Sequence, residues 1–84
     1  TNREGMLFLE REFTRLGLAY VPSQANFVLV RVGAGGEVYE RLLRRAVIVR
    51  PMGGYGFPEH VRVTVGTAEE NRRFVGALEG ALSQ

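Results

Sequence analysis

Two stretches of the chain carry the apolar pattern of β-strands. Between residues 60 and 66 every second residue is a valine, which is the two-residue period of a strand with one buried face. The segment Asn26–Val32 (NFVLVRV) is rich in β-branched and other apolar residues and predicts a buried strand. Leu18–Val21 and Ala46–Val49 predict two shorter strands.

Three other segments place apolar residues at intervals of three and four, which is typical of amphipathic helices. They are Arg3–Leu16, residues 37–45 (EVYERLLRR), and the stretch that follows Thr67. Gly17 lies where a left-handed C-cap of the first helix belongs. Thr67 and Glu70 have the spacing of a capping box at the start of the third helix.

The predicted order is helix, strand, strand, helix, strand, strand, helix. This order indicates an α+β fold: a small, largely antiparallel sheet of three to four strands, with helices packed mainly on one face. The 84 residues are enough for one domain, so we expect residues 1–84 to form a single unit.

The composition excludes several classes of function. All 11 basic residues are Arg, all 9 acidic residues are Glu, and the net charge is +2, so no basic patch suggests nucleic acid. There is no Cys, and the lone His60 has no partners for a metal site or a catalytic triad. We therefore predict no metal site and no catalytic residue in this chain.

The chain is also expected to be cytoplasmic. No apolar run approaches the roughly 20 residues that span a bilayer, and the first residues do not have the pattern of a signal peptide. The sequence contains no Lys, so the chain cannot form a Schiff base through a lysine amine.

Arg62 and Arg50 are the candidate binding residues. Strand alternation places Arg62 opposite the valine face, where it is either a solvated strand residue or a ligand for an anion. A guanidinium on a rigid strand suits a carboxylate or phosphate, which it can bind through two parallel hydrogen bonds. Arg50 ends a predicted strand before Pro51, and it is either a strand-end residue in water or a second ligand.

The loop MGGYG between these arginines does not have the spacing of a phosphate-binding loop, because no helix follows it directly. We expect its glycines to allow turns with positive φ. Tyr55 and Phe57 either line a pocket or cover the core. Asn26, at the start of a predicted strand, is expected to bond local backbone.

Two phrases of the sequence carry a resemblance to a known family. PSQANFVLV, followed by VYERLLRRAVIVRPMGGYGFPEHVRVTVGTAEENRRF, resembles the C-terminal small domain of histidinol-phosphate aminotransferases, which are fold-type I pyridoxal-phosphate enzymes. The resemblance extends from about Glu4 to Leu82. Its most specific part is VRPMGGYG…HVRVTVGT…EEN. A looser version occurs in related aminotransferases and in threonine-phosphate decarboxylases.

The resemblance implies roles for three residues. Arg62 matches the arginine that holds the anionic end of the substrate: a carboxylate of glutamate or 2-oxoglutarate, or the phosphate of histidinol phosphate. Arg50 matches an arginine that assists at the same end. Asn26 matches the asparagine of the family's A-N-[FY] motif near the domain boundary and is a weaker candidate for substrate binding.

The resemblance also implies what lies outside this chain. The intact enzyme is a homodimer that uses pyridoxal phosphate, and its large domain carries the Schiff-base lysine and the cofactor-binding residues. The chain is therefore expected to be inactive alone and to need that large domain as its partner.

Two other functions remain open at this point. One is the small domain of another fold-type I enzyme, such as an aromatic aminotransferase or a threonine-phosphate decarboxylase. The other is a free-standing regulatory module that binds a small molecule. Neither involves nucleic acid or a membrane.

Overall fold

The computed structural model describes residues 2–22, 26–45 and 49–83. Within these ranges the helices and strands follow one another in the predicted order. They are α1 (Asn2–Arg15), β1 (Tyr20–Pro22), β2 (Phe27–Arg31), α2 (Gly35–Arg44), β3 (Arg50–Pro51), β4 (His60–Thr64) and α3 (Ala68–Leu82), with a short 3₁₀ turn at Gly53–Tyr55. The predicted α+β class is confirmed.

The four strands form one antiparallel sheet in the order β1-β2-β4-β3. The central pair is β2 and β4, in which Val28 lies opposite Val63 and Val30 lies opposite Val61. Because directly opposed residues share a face, these four valines form one apolar surface. All four are at most 4% exposed.

All three helices contribute to the single core on that surface. The largest fully buried side chains from the helices are Leu9 and Phe13 of α1, Leu42 of α2 and Leu78 of α3. Phe13 also contacts Phe74 edge-to-face, with ring centroids 6.2 Å apart. The prediction that the helices cover one face is therefore confirmed, and the other face of the sheet stays open.

Two predicted elements differ from the structure. The predicted strand Ala46–Val49 lies mostly outside the described residues; Val49 itself is not in a strand, and β3 begins one residue later. The second helix also differs, because the pattern predicts it from residue 37 whereas α2 begins at Gly35. The reason is contact: the Gly35 N–H donates to the Pro58 carbonyl, and a Cβ on Gly35 would lie 2.6 Å from that oxygen.

The predicted helix ends are present. Gly17 has a φ of 75° after α1, which is the left-handed conformation that favours glycine. At the start of α3 the Thr67 hydroxyl accepts from the Glu70 N–H at 3.1 Å, and the Glu70 carboxylate accepts from the Thr67 N–H at 2.9 Å. These bonds satisfy two of the helix's N-terminal donors.

A buried asparagine joins β4 to α3. Asn71 is 3% exposed, and its carboxamide pairs with both backbone groups of Gly66: Oδ1 accepts from the N–H at 2.9 Å, and Nδ2 donates to the carbonyl at 3.2 Å. Helix α1 approaches this joint at Gly5, where an added Cβ would lie 2.8 Å from Asn71 Nδ2. The carboxamide therefore satisfies backbone groups that neither the sheet nor the helix pairs.

We expect Asn71→Ala to lower the free energy of unfolding by about 2 kcal/mol, because it leaves two backbone groups without partners where α1 closes over them. Urea denaturation measures this. The control is Arg72→Ala on the next, exposed residue, which should change stability by no more than about 0.5 kcal/mol. Equal effects of the two substitutions would contradict this account of the joint.

Candidate anion-binding site

The two candidate arginines lie next to each other in the sheet. Arg50 of β3 is the direct cross-strand partner of Arg62 of β4. Their side chains therefore share one face, and this is the open face, since Val61 and Val63 on either side of Arg62 are buried in the core. The prediction that Arg62 points away from the valines is confirmed.

The glycine-rich loop between the arginines is the connection of a β-hairpin. Met52 begins its turn, and the Met52 carbonyl accepts from the N–H groups of Tyr55 and Phe57, both at 3.0 Å. Gly56 alone in this loop has a positive φ, at 85°. The expected role of the glycines is thus correct for one of them. The loop returns the chain so that β3 and β4 pair.

A pocket of about 400 Å³ has both arginines in its lining. Its described lining consists of Tyr39, Val49, Arg50, Pro51, Arg62 and Thr64. The volume lies within the range of small-molecule sites. Two cations, a phenol and an aliphatic hydroxyl can all donate hydrogen bonds, so the lining is suited to a small anion rather than to a cation or a purely apolar group.

No carboxylate forms an ion pair with Arg50 or Arg62 among the residues that the structure describes. Other arginines do have such partners: Arg31 pairs with Glu59 at 3.0 Å, and Arg15 pairs with Glu12 and Glu79. The hydrogen bonds that Arg15 donates to the carboxylates of Glu79 and Glu12 raise the pKa of Arg15 above its ordinary value.

The arrangement of Arg50 and Arg62 is electrostatically unfavourable without a ligand. Like charges directly opposite on antiparallel strands destabilise the pair. An anion between the two side chains would reverse the sign of this interaction. The pair therefore has the character of a binding site, because two facing cations line one pocket.

The structure does not bring every candidate to this pocket. Asn26 is exposed, and its carbonyl accepts from the Val65 N–H at 2.8 Å, but Asn26 is not among the described lining residues. Tyr55 and Phe57 are 69% and 44% exposed and also lie outside the lining. His60 contacts the edge of Phe57, with ring centroids 5.5 Å apart.

A larger pocket, of about 630 Å³, lies between α1 and the start of α3. Several of its polar groups are already paired within the protein, because Glu70 completes the capping box and Asn71 binds Gly66. We therefore place the candidate site at the smaller pocket, where two arginines lie directly opposite each other on paired strands.

Within residues 2–22, 26–45 and 49–83, no group of His, Cys, Asp and Glu side chains has the grouping of a metal site. None of the described helices is long and apolar enough to cross a membrane.

Of the six described lining residues, the sequence analysis names only Arg50 and Arg62 as binding residues. Strand alternation places Thr64 on the same face as Arg62, two positions away, but no pattern in the sequence marks its hydroxyl as part of a pocket. Tyr39 lies on α2, and no local pattern indicates that its side chain reaches the edge of the sheet. Only the packing of α2 against β3 and β4 brings Tyr39 there.

Removing one of the two facing charges should stabilise the ligand-free chain. We expect Arg50→Gln to raise the free energy of unfolding by about 0.2–1 kcal/mol at low ionic strength, since it relieves a cross-strand like-charge pair. The gain should shrink at about 1 M salt because screening weakens the repulsion. Urea denaturation at two salt concentrations measures both effects.

The matched control is Arg31→Gln on the same open face. Arg31 has a carboxylate partner in Glu59, so its neutralisation should not stabilise the chain. If the two substitutions changed stability in the same direction and to the same extent, repulsion between Arg50 and Arg62 would not be the cause.

Comparison with known proteins shows the family of the chain. The chain is 59% identical over 83 residues to the histidinol-phosphate aminotransferase of Symbiobacterium thermophilum, an alignment that covers 98% of this chain and 23% of that enzyme. The chain thus spans about a quarter of the length of this relative.

Solved structures share the fold. The histidinol-phosphate aminotransferase of Clostridium acetobutylicum superposes with a TM-score of 0.82 at 24% identity, over 96% of this chain and 26% of the other. The L-threonine-O-3-phosphate decarboxylase of Porphyromonas gingivalis superposes with a TM-score of 0.77 at 24% identity, over 98% of this chain and 28% of the other. A family model described as aminotransferase class I and II matches residues 6–78. The chain therefore belongs to the aminotransferase class I and II family.

Proposed function

We propose that this chain is the C-terminal small domain of a histidinol-phosphate aminotransferase and binds the anionic end of the substrate. The observation that carries the proposal is the facing pair Arg50 and Arg62, which lines one pocket with no carboxylate partner among the described residues. The intact enzyme would transfer an amino group between histidinol phosphate and 2-oxoglutarate.

The choice among related enzymes rests on sequence identity. The fold is common to an aminotransferase and a phosphothreonine decarboxylase, so the fold by itself supports both. The identity of 59% is to a histidinol-phosphate aminotransferase. Both kinds of enzyme bind a phosphorylated substrate, and both would make use of two neighbouring arginines in one pocket.

The two arginines would divide the binding of the anion unequally. Arg62 lies within β4, which is paired on both sides, by β2 and β3. Arg50 lies in the two-residue strand β3 at the sheet edge. A planar guanidinium with a fixed backbone can meet two oxygens of a carboxylate or phosphate at once. We therefore assign Arg62 as the principal ligand and Arg50 as the secondary one.

Other pocket residues would complete the surroundings of the anion. The Tyr39 and Thr64 hydroxyls can each donate one hydrogen bond, while Val49 and Pro51 contribute apolar surface. Asn26 remains a weaker candidate for contact with the substrate, since it lies outside the described lining of this pocket.

Pyridoxal phosphate, the cofactor of this family, supplies the electron sink for amino transfer. The residues of this chain do not fit its covalent attachment, because there is no lysine. Its anchor would belong to a large domain of the same enzyme, in a cytoplasmic homodimer. This chain would contribute substrate binding and orientation rather than a reacting group.

The isolated 84-residue chain is expected neither to transaminate nor to hold pyridoxal phosphate through a lysine aldimine, since the required amine is absent. The measurement is amino transfer from glutamate together with the absorbance of a borohydride-reducible lysine adduct. Turnover by the pure chain would contradict the assignment of the catalytic groups to another domain.

The role of Arg62 can be tested in a full-length enzyme. In a chimaera, this chain replaces the matching segment of the Symbiobacterium thermophilum relative. Loss of a charge-assisted contact is worth about 1.5–3 kcal/mol, so Arg62→Lys should lower kcat/KM for both glutamate and histidinol phosphate roughly 10- to 150-fold. Steady-state kinetics with each substrate measures the effect.

Three controls accompany this measurement. Arg50→Lys should lower kcat/KM less than Arg62→Lys does. Arg31→Lys, on the same face but paired with Glu59, should leave it unchanged. Cofactor absorbance and the thermal midpoint should not change in any variant. Values for Arg62→Lys within about twofold of the parent for both substrates would leave Arg62 as a solvated strand residue.

A further inference from the structure

Arg62 makes one contact that anion binding does not explain. Its guanidinium carbon, Cζ, lies over the ring of Phe27 at 5.2 Å from the ring centroid. This distance is within the range of a cation–π interaction. Phe27 is half-buried and lies on the open face of the sheet, beside rather than inside the described pocket lining.

The sheet register fixes this contact. Phe27 lies opposite Thr64, and Leu29 lies opposite Arg62, so Phe27 is the diagonal cross-strand neighbour of Arg62. Diagonal neighbours are within reach of aromatic and long side chains. The backbone around Phe27 is held by the β2–β4 ladder, and the bond from the Val65 N–H to the Asn26 carbonyl extends that pairing by one step.

The contact with Phe27 does two things for an arginine that binds an anion: it holds the side chain in place, and it leaves the N–H groups available. Arginine has several rotatable bonds, and fixing them at the moment of binding reduces affinity. An aromatic face attracts the cation without being a strong hydrogen-bond acceptor, whereas a carboxylate partner would occupy the same N–H groups that the substrate needs. The attraction to the ring also offsets part of the repulsion between Arg62 and the like charge of Arg50.

We propose that Phe27 is a positioning residue for the anion site: its ring holds the Arg62 guanidinium in place before the anion binds. This inference rests on the proposed function, because it concerns the affinity of that site. It extends the site from the pocket itself to the neighbouring strand, and it assigns Phe27 no contact with the substrate.

The test uses the same chimaeric enzyme with three single substitutions. Phe27→Leu removes the aromatic face and keeps an apolar side chain, while Phe27→Tyr keeps the ring. Phe8→Leu is the matched control. Phe8 is another half-buried phenylalanine that packs against the core, but it lies in α1, on the side of the sheet opposite the open face. KM, kcat and the thermal midpoint are measured for each.

We expect Phe27→Leu to raise KM for both glutamate and histidinol phosphate about 2- to 5-fold with little change in kcat, which is the signature of lost ground-state affinity. Phe27→Tyr should restore the parent KM. Phe8→Leu should lower the thermal midpoint without changing KM. A purely structural role for Phe27 would give the pattern of Phe8→Leu instead, and that result would overturn the proposal.

A double-substitution cycle separates this inference from the proposed function. In an Arg62→Gln background no cation lies over the ring, so Phe27→Leu should cause no further rise in KM. If Arg62→Lys impairs the enzyme but Phe27→Leu does not, the positioning role fails and the proposed function stands. If neither substitution lowers kcat/KM, or if the chimaera does not transaminate, the proposed function fails and the positioning role fails with it.

Discussion

The antiparallel pairing of β2 with β4 is the interaction on which the rest of the structure depends. Its register places four valines on one side, where all three helices cover them, and it places Phe27, Arg62 and Thr64 on the other. A slip of one residue would exchange the two faces and bury a guanidinium among apolar side chains. The hydrophobic core therefore fixes the positions of Arg62 and Thr64, although neither side chain belongs to it.

The candidate site places two like charges beside each other, which is electrostatically unfavourable. Two guanidinium groups on opposed strands repel each other, and among the described residues neither has a carboxylate partner. The buried valines hold β4 in place and the hairpin loop holds β3 beside it, so the backbone keeps the pair together. A fold can retain such a local cost where a ligand of opposite charge compensates for it, which is why functional sites often break rules that the remaining sequence follows.

Much of the fold could be predicted because its signals are local. The alternating valines, the capping box at Thr67 and the C-cap at Gly17 depend on residues a few positions apart, and all are present. The predicted start of α2 was wrong because Gly35 belongs to the helix. Its place there depends on a residue far away in sequence, since the Pro58 carbonyl approaches it closely. Glycine permits a flexible break and a close contact equally, and the sequence does not distinguish them.

The sequence by itself determined the α+β class, the order of elements and the direction of Arg62, since each follows from a period of two or about 3.6 residues. It also determined that no lysine is available for a Schiff base. Only the tertiary structure decided that Arg50 lies directly opposite Arg62, that Tyr39 joins their pocket and that Phe27 lies under the guanidinium. These three placements depend on the register between strands and on the packing of a helix against a sheet. Both bring together residues that are far apart in the chain.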